Sequence, residues 1–322
     1  MGSTNNTLEK QSRLTPSKPP GMLEEPLPAI NDKEGDVVPD FLPPVVDAHV
    51  HLFPDDLYAS IWQWFDRFGW PIRYKLTTPE VIEFLVSRGI DHIVALHYAH
   101  KPGIARELNA YMAHVSQSNP RVTGLATVLP GEKDCADILK EGFDLGLSGV
   151  KLHSHVQCFD VISNEMQVIY ETCIAYDKPL LMHVGREPKS PAYRCDPHVL
   201  CGADKVEAVL KTYPQLKVCV PHMGIDETDA YQELIVNYDN LWLDTTMTLS
   251  DYLSAEYFPN LHEMRADRII FGTDFPHLPY AWDRELKRLC ELDLPGDSLA
   301  LILGQNARNL FSINAYSLTQ QE

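Results

Sequence analysis

Two imidazoles two residues apart mark the first place where this chain could do chemistry, in Val46-Asp47-Ala48-His49-Val50-His51-Leu52. Side chains alternate along an extended strand, so Asp47, His49 and His51 share one face while Val46, Ala48 and Val50 take the other. Imidazoles so spaced can grip one metal ion through their nitrogens. Farther along, His183 in Leu181-Met182-His183-Val184-Gly185 and His222 in Pro221-His222-Met223-Gly224 each stand just before a glycine at which a strand would end. The apolar run Ile269-Ile270-Phe271-Gly272-Thr273 terminates in Asp274. Singly, each has an ordinary reading: a strand-end histidine bonding a neighbour, or an aspartate capping a helix. Jointly they deliver nitrogen and oxygen donors from four separated segments to one rim, a set suited to a catalytic metal with an open position.

Other residues cluster near the same rim. Lys151 and His153 in Gly149-Val150-Lys151-Leu152-His153 share a face, with His155 two residues further on. They can build a second metal site or contact a substrate carboxylate; equally, Lys151 can pair with a buried carboxylate such as Asp47 or Asp244. One metal is the favoured reading. Arg186, just beyond His183 in the loop from Gly185 to Leu200 with Tyr193 and Arg194, is placed to clamp a substrate carboxylate. The aromatic stretch from Tyr58 to Tyr74 holds Trp62, Trp64, Phe65, Phe68 and Trp70. It can wall a pocket, form a subunit interface or simply pack in the core. His277 sits close to Asp274 and can line the rim, though a turn residue is the favoured reading, and His92, His97, His100, His114, His198 and His262 carry no assigned role.

These donors need elements to position them. Eight short β-rich runs recur: Val45–Leu52, Asp91–Tyr98, Val122–Leu129, Gly149–His155, Pro179–Val184, Lys217–Pro221, Leu241–Thr246 and Arg268–Thr273. Helical patterns lie between them, as in 79–88, 104–116, 135–145, 165–176, 203–212 and 228–238. Strand–helix alternation calls for a parallel sheet, and eight repeats suggest closure into a barrel. The expected fold is α/β, a distorted (β/α)8 TIM barrel whose active site lies at the carboxyl ends of its strands. The rival is an open doubly wound sheet, weakened because no Gly-x-Gly-x-x-Gly follows the first strand.

Whole-chain properties agree. The 322 residues carry 27 Lys+Arg against 45 Asp+Glu, a formal charge of −18, which argues against nucleic-acid and anionic membrane partners. A local cation can still reverse the sign inside a cleft, so a small anionic substrate is compatible with it. With 44% hydrophobic residues the chain can bury a real core. Seven cysteines without C-x-x-C spacing suggest neither a disulfide framework nor thiolate zinc. A cytoplasmic setting is expected, since the polar N-terminus has no secretory pattern and no run reaches a membrane span. Residues 1–44, with 8 of the 24 prolines, read as a flexible or surface-wrapping extension, and 45–322 as the barrel domain. A homo-oligomer is expected.

The matching pieces resemble a known family. Asp47-Ala48-His49-Val50-His51, Gly149-Val150-Lys151-Leu152-His153, Leu181-Met182-His183-Val184-Gly185, Pro221-His222-Met223-Gly224 and Phe271-Gly272-Thr273-Asp274 are similar to the amidohydrolase superfamily. The likeness is to its amidohydrolase-related (type 2) branch of hydrolases and decarboxylases, and Asn306-Ala307-Arg308-Asn309-Leu310-Phe311 looks like that branch's closing helix. The resemblance implies a divalent metal, usually zinc with manganese as an alternative, held by His49, His51, His183 and Asp274. It implies His222 as a catalytic or auxiliary ligand residue.

Such a cation lowers the pKa of bound water from ~16 towards ~7. Asp274 can then accept the proton, and His222 can polarise a substrate carbonyl. The leading expectation is hydrolysis of a C–O or C–N bond in a small, possibly carboxylated substrate. The alternative is non-oxidative decarboxylation of an aromatic or unsaturated acid; decarboxylase relatives often carry Glu where this chain has His49. A catalytically silent barrel is the third reading, disfavoured by the intact donor set.

Overall fold

The computed structural model describes residues 29–186, 192–252 and 259–314. The first 28 residues of the proline-rich extension lie outside the described residues. From Ala29 on, the chain packs against the barrel. Gly35 N–H donates to Asp283 (2.8 Å), Arg73 pairs with Glu34 (3.0 Å) and Arg284 with Asp32 (3.0 Å).

Strands and helices alternate along the chain. The first half runs β1 (Val46–His51), α1 (Asp55–Phe68), α2 (Thr78–Ser87), β2 (His92–Leu96), α3 (Ala105–Ser118), β3 (Val122–Gly124), α4 (Cys135–Asp144) and β4 (Val150–His153). A helical turn α5 (Ser154–Gln157) precedes α6 (Asn164–Ala175), β5 (Leu180–His183), the short α7 (Pro197–Leu200), α8 (Ala203–Thr212) and β6 (Val218–Val220). Then come α9 (Thr228–Asn237), β7 (Leu241–Asp244), β8 (Ile269–Ile270), α10 (Arg284–Glu291), α11 (Gly296–Ala300) and α12 (Asn306–Leu310). Local chemistry sets the boundaries. At α2, for example, the Thr77 N–H and hydroxyl both donate to Glu80 (2.8 and 2.7 Å), a capping box that satisfies orphan groups of the first turn.

All strand pairs are parallel, in the orders β1-β2-β3 and β4-β5-β6-β7-β8. Two seams join these sheets into a ring. Ala126 bridges Val150 between β3 and β4, with Lys151 N–H donating to Ala126 O (2.8 Å). Across the other seam Ala48 N–H donates to Phe271 O (2.9 Å), Asp274 N–H to His49 O (2.9 Å) and His51 N–H to Phe275 O (2.8 Å). The molecule is therefore an eight-stranded α/β barrel.

Two apolar layers fill it. Val46, Ala48, Val94, Leu96, Leu125, Leu181, Cys219 and Ile270 meet inside the ring, where Ala307, Leu310 and Phe311 from the α12 segment plug them. The larger layer lies between strands and helices and takes Val50 and Leu52. This corrects the strict alternation expected of β1. Its pairing register with β2 shifts between Asp47 and Val50. Val46 and Ala48 consequently join the inner layer while Val50 joins the outer one, and Asp47 is separated from the histidine pair. An irregularity of this bulge type re-aims the side chains that follow it.

Among the described residues, no helix is long and apolar enough to cross a membrane.

Buried neutral histidines make the fold acid-sensitive. Burial pushes His97 down to about 4 against the opposing hydrogen bond to Asn109, and burial also pushes His92 down to about 4. Unfolded imidazoles titrate near ~6.5, so this stability is complete above that pH and is lost as pH falls towards 4, by about 3 kcal/mol per group. Urea midpoints are expected to drop between pH 7 and pH 4.5, less steeply in His97→Gln; identical pH profiles for the two proteins would contradict this role for His97.

Candidate metal centre at the barrel mouth

The donors sit where the backbone leaves the strands, in conformations that cost energy. His222 (φ 54°) and Met223 (φ 49°) occupy the left-handed region in the turn after β6, and Asp274 (φ 75°) does so beyond β8. Non-glycine residues avoid that region by roughly 1–3 kcal/mol, and where they persist the surroundings must impose it. Here the surroundings do. Asp244 Oδ1 accepts the His222 N–H (2.9 Å), and His49 O accepts the Asp274 N–H (2.9 Å).

Glycines permit the close approaches. Gly185 (φ 104°) and Gly224 (φ 83°) follow His183 and His222, and a Cβ on Gly185 would lie 2.5 Å from the Gly224 carbonyl. This brings the His183 and His222 rings to 4.7 Å between centroids. At Gly272 a Cβ would lie 2.6 Å from His49 Cβ, so β8 and β1 fit together only with hydrogen there.

On this frame the N-terminal imidazoles face the aspartate. His49 Nε2 is 3.4 Å and His51 Nε2 3.0 Å from Asp274 Oδ1. His49, His222 and Asp274 each offer an atom within 4.8 Å of the others, and all three are buried. His183 is not in this tightest group but stands against His222. Its own close group is with His153 and His155, also within 4.8 Å. There the His153 and His183 rings stack nearly parallel, 3.9 Å apart at 8°. Parallel rings send their in-plane lone pairs side by side rather than to one point.

Hydrogen bonds fix the tautomers. His49 Nδ1 lies 2.8 Å from Asp244 Oδ2, and His222 Nδ1 lies 3.0 Å from Thr246 O. Both Nδ1 positions must donate to these acceptors, which leaves each Nε2 lone pair for the site. Such carboxylate- or carbonyl-held imidazoles are the usual support of metal-binding histidines.

Electrostatics favour a cation. Burial resists ionisation of Asp274, but the His51 hydrogen bond and the imidazoles of His51, His49 and His222 hold its carboxyl well below the usual range. Burial also drives His49 and His183 far below the ordinary imidazole value, with Lys151 and neighbouring imidazoles adding to it, and lowers His51. Neutral imidazoles around an ionised, buried carboxylate are the protonation states that coordination requires. The buried His51 Nδ1 has no hydrogen-bond partner among the described residues. The donor set therefore fits a divalent metal.

The other sequence-derived candidates divide. Lys151 is fully buried, with Nζ 3.4 Å from His49 Nε2. Burial lowers it to about 8 against the pull of Asp244 and Asp274. His153 touches Tyr98 (5.1 Å) as well as His183. Arg186, with 45% of its side chain exposed, pairs with Glu227 (3.4 Å). Tyr193 stacks on Trp64 (6.0 Å) and lies 5.5 Å from His155.

One participant was not found by reading the sequence. Asp244 was considered only as a partner for Lys151, yet it supports His49 and His222 together. His277 does form a turn, donating its N–H to Asp274 O (2.9 Å), but its ring also stacks on His51 (5.2 Å) and meets Phe65 (5.2 Å). Trp70 Nε1 donates to His277 O (2.7 Å), so the aromatic stretch reaches the site's edge through this residue. The spacing of His277 three residues after Asp274 was the available signal.

With this geometry in place, comparison with known proteins becomes informative. The profile of the Amidohydrolase family matches residues 46–313, and the chain belongs to that family. A comparison with curated proteins finds no significant match. Among solved structures, the chain is similar to an uncharacterised TIM-barrel protein from Bordetella bronchiseptica (20% identity, TM-score 0.66, covering 83% of this chain and 98% of that one). It is similar to 5-carboxyvanillate decarboxylase from Novosphingobium aromaticivorans, complexed with manganese and 4-hydroxy-3-methoxy-5-nitrobenzoic acid (17%, TM-score 0.60, covering 88% and 99%). It also resembles a putative 2-pyrone-4,6-dicarboxylic acid hydrolase from Pseudomonas putida (16%, TM-score 0.59, covering 85% and 100%). The family thus includes enzymes of both kinds, hydrolase and decarboxylase.

The support given to His49 yields a measurable expectation. Asp244→Asn should weaken divalent-metal binding by about 10- to 100-fold, the usual effect of losing such a partner. Titration calorimetry with Zn2+ and Mn2+ on folded protein checks it; unchanged affinity would remove Asp244 from the centre.

Proposed function

We propose that the protein is a metal-dependent hydrolase of a small, possibly carboxylated molecule, cleaving a C–O or C–N bond. The observation that carries this reading is the convergence of His49 and His51 on Asp274, an ionised carboxylate with neutral imidazoles around it. His49, His51, His183 and Asp274 would hold one divalent ion, zinc in this reading. The parallel stack of His153 on His183 supports one ion rather than two, because those two nitrogens do not aim at a common point. Bound there, the ion supplies Lewis acidity, acidifying water and polarising a substrate oxygen.

The chain's own groups do the rest. Asp274 is ionised at neutral pH and takes the proton from the attacking water, then returns it to the leaving group. His222 has its Nδ1–H committed to Thr246 O and faces the reacting centre with Nε2, where it holds the water or the substrate carbonyl oxygen in line. Lys151 gives the floor of the site a buried positive charge that suits an anionic substrate, and His153 lies on the same side. The clamp expected of Arg186 has Glu227 as a competitor, so a substrate carboxylate would have to displace that contact.

Decarboxylation is the second reading. It is favoured by the aromatic rings at the site's edge, where Phe65 meets His277 and Tyr98 meets His51, surroundings that suit a flat aromatic acid. In that case a protonated group at the site quenches the carbanion as carbon dioxide leaves.

Product analysis separates the two. On a panel of esters, lactones, amides and aromatic acids, the zinc-loaded enzyme is expected to consume water and release no carbon dioxide. Asp274→Asn should lower turnover by at least about 100-fold while the protein stays folded. Activity unaffected by that substitution would dismiss Asp274 as the base, and stoichiometric carbon dioxide would replace the hydrolase reading with the decarboxylase one.

A further inference from the structure

Beside the metal centre, three thiols gather round His155. Cys201 is buried, with Sγ 3.3 Å from His155 Nε2 and 3.2 Å from Pro197 O. Cys158 and Cys195 both aim their thiols at one acceptor, the His155 carbonyl, at 3.6 and 3.4 Å. The two thiols thus converge on a single backbone oxygen from opposite loops. Of the seven cysteines, Cys158, Cys195 and Cys290 are only partly buried, and two of these three share the His155 carbonyl.

The two come from different loops. Cys158 ends α5, the turn after β4, and holds the left-handed conformation (φ 54°, ψ 47°) normally given to glycine at such a position. Cys195 follows Tyr193 in the loop after β5, just ahead of α7, whose first turn is fixed by Asp196 accepting the His198 N–H (3.1 Å). A strained backbone at a small, reachable thiol facing a second thiol is an arrangement that packing alone does not require.

We propose that Cys158 and Cys195 form a redox pair whose disulfide joins the loop after β4 to the loop after β5 at the edge of the metal centre. The oxidant is a peroxide. Cys158 thiolate attacks one peroxide oxygen, the O–O bond breaks, and Cys158 sulfenic acid forms as the other oxygen leaves as water. The Cys195 sulfur then attacks the sulfenic sulfur, expelling hydroxide that takes the Cys195 proton and leaves as a second water. Two thiols and one hydrogen peroxide thus become one disulfide and two waters.

The structural consequence follows from bond lengths. A disulfide sets its sulfurs about 2.05 Å apart, well inside hydrogen-bonding distance, so the loops must draw together. Tyr193 is two residues from Cys195 and already 5.5 Å from His155, whose ring in turn lies 5.0 Å from His183. Oxidation therefore pins Tyr193 over His155 and ties the redox state to the wall of the centre.

Intact full-length protein treated with one equivalent of hydrogen peroxide tests this. The expected result is loss of two hydrogens from the intact mass, a peptide linking Cys158 to Cys195 in a non-reducing digest, and reversal by dithiothreitol. Cys201→Ser should retain the link, and Cys158→Ser and Cys195→Ser should each abolish it. The thermal midpoint should rise on oxidation in the wild type and not in Cys195→Ser. A link through Cys201, stable oxygen addition at a single cysteine, or thiols unchanged by peroxide would overturn the pair. An oxidised midpoint that does not rise would overturn the pinning of the loop. None of these readouts depends on which reaction the metal centre performs.

Discussion

The seam between β8 and β1 is the constraint on which the rest of the structure depends. Three backbone hydrogen bonds close the ring there, and one of them, from Asp274 N–H to His49 O, joins two residues of the metal centre directly. Closure of the barrel and assembly of the site are thus one event. It is cemented by Asp47, whose carboxylate accepts from the Thr273 N–H (3.1 Å) and hydroxyl (2.6 Å) one residue before Asp274. The absence of a side chain at Gly272 lets His49 lie against β8 at all. Loss of register at this seam would move both histidines and the aspartate together, because each is fixed through the other's backbone.

A second buried carboxylate organises the opposite side. Asp244 at the end of β7 accepts from His49 Nδ1, the His222 N–H and the Thr246 N–H (3.1 Å). A buried carboxylate is tolerable only when its lone pairs are satisfied, and here the satisfying donors are the groups the centre must hold still. Asp244 therefore sets a tautomer at His49 and a backbone conformation at His222 at once. Because His222 sits in the left-handed region, that backbone bond offsets part of a cost the turn would otherwise relax away.

Much of this was legible in the sequence, and the omissions have physical causes. Eight strands were readable because fully buried parallel strands are short apolar runs between helices, and strand-end histidines before Gly185 and Gly224 mark where the chain turns. The face of each β1 residue was not readable: alternation holds only for an unbroken ladder, and the register shift after Asp47 depends on a partner strand 40-odd residues away. Asp244 escaped because its role lies in what it bonds, not in its spacing, and one carboxylate at a strand end looks like any other. His277 was read from its turn, which exists, but ring stacking on His51 is a tertiary contact without a local signature. The cysteines looked unrelated for the same reason: Cys158 and Cys195 are far apart in sequence and meet only when neighbouring strands deliver their loops to one rim.

Charge balance connects these parts. Asp47, Asp244 and Asp274 are all buried, and Lys151 is the buried ammonium among them. Burial raises Asp47 to about 7 and raises Asp244, while Asp274 alone is driven down, because the His51 hydrogen bond and the imidazoles of His51, His49 and His222 together outweigh its burial. With all three carboxylates ionised against one ammonium the floor of the barrel carries a surplus of two negative charges. In a low-dielectric interior such a surplus is expensive and is relieved either by protonation or by a cation. Lys151 is too close to His49 to be a remote counter-ion, and its own amine is lowered by the same burial. A divalent ion among His49, His51 and Asp274 would neutralise the surplus in full, while burial, which lowers those imidazoles against the pull of Asp274, leaves their nitrogens unprotonated for it.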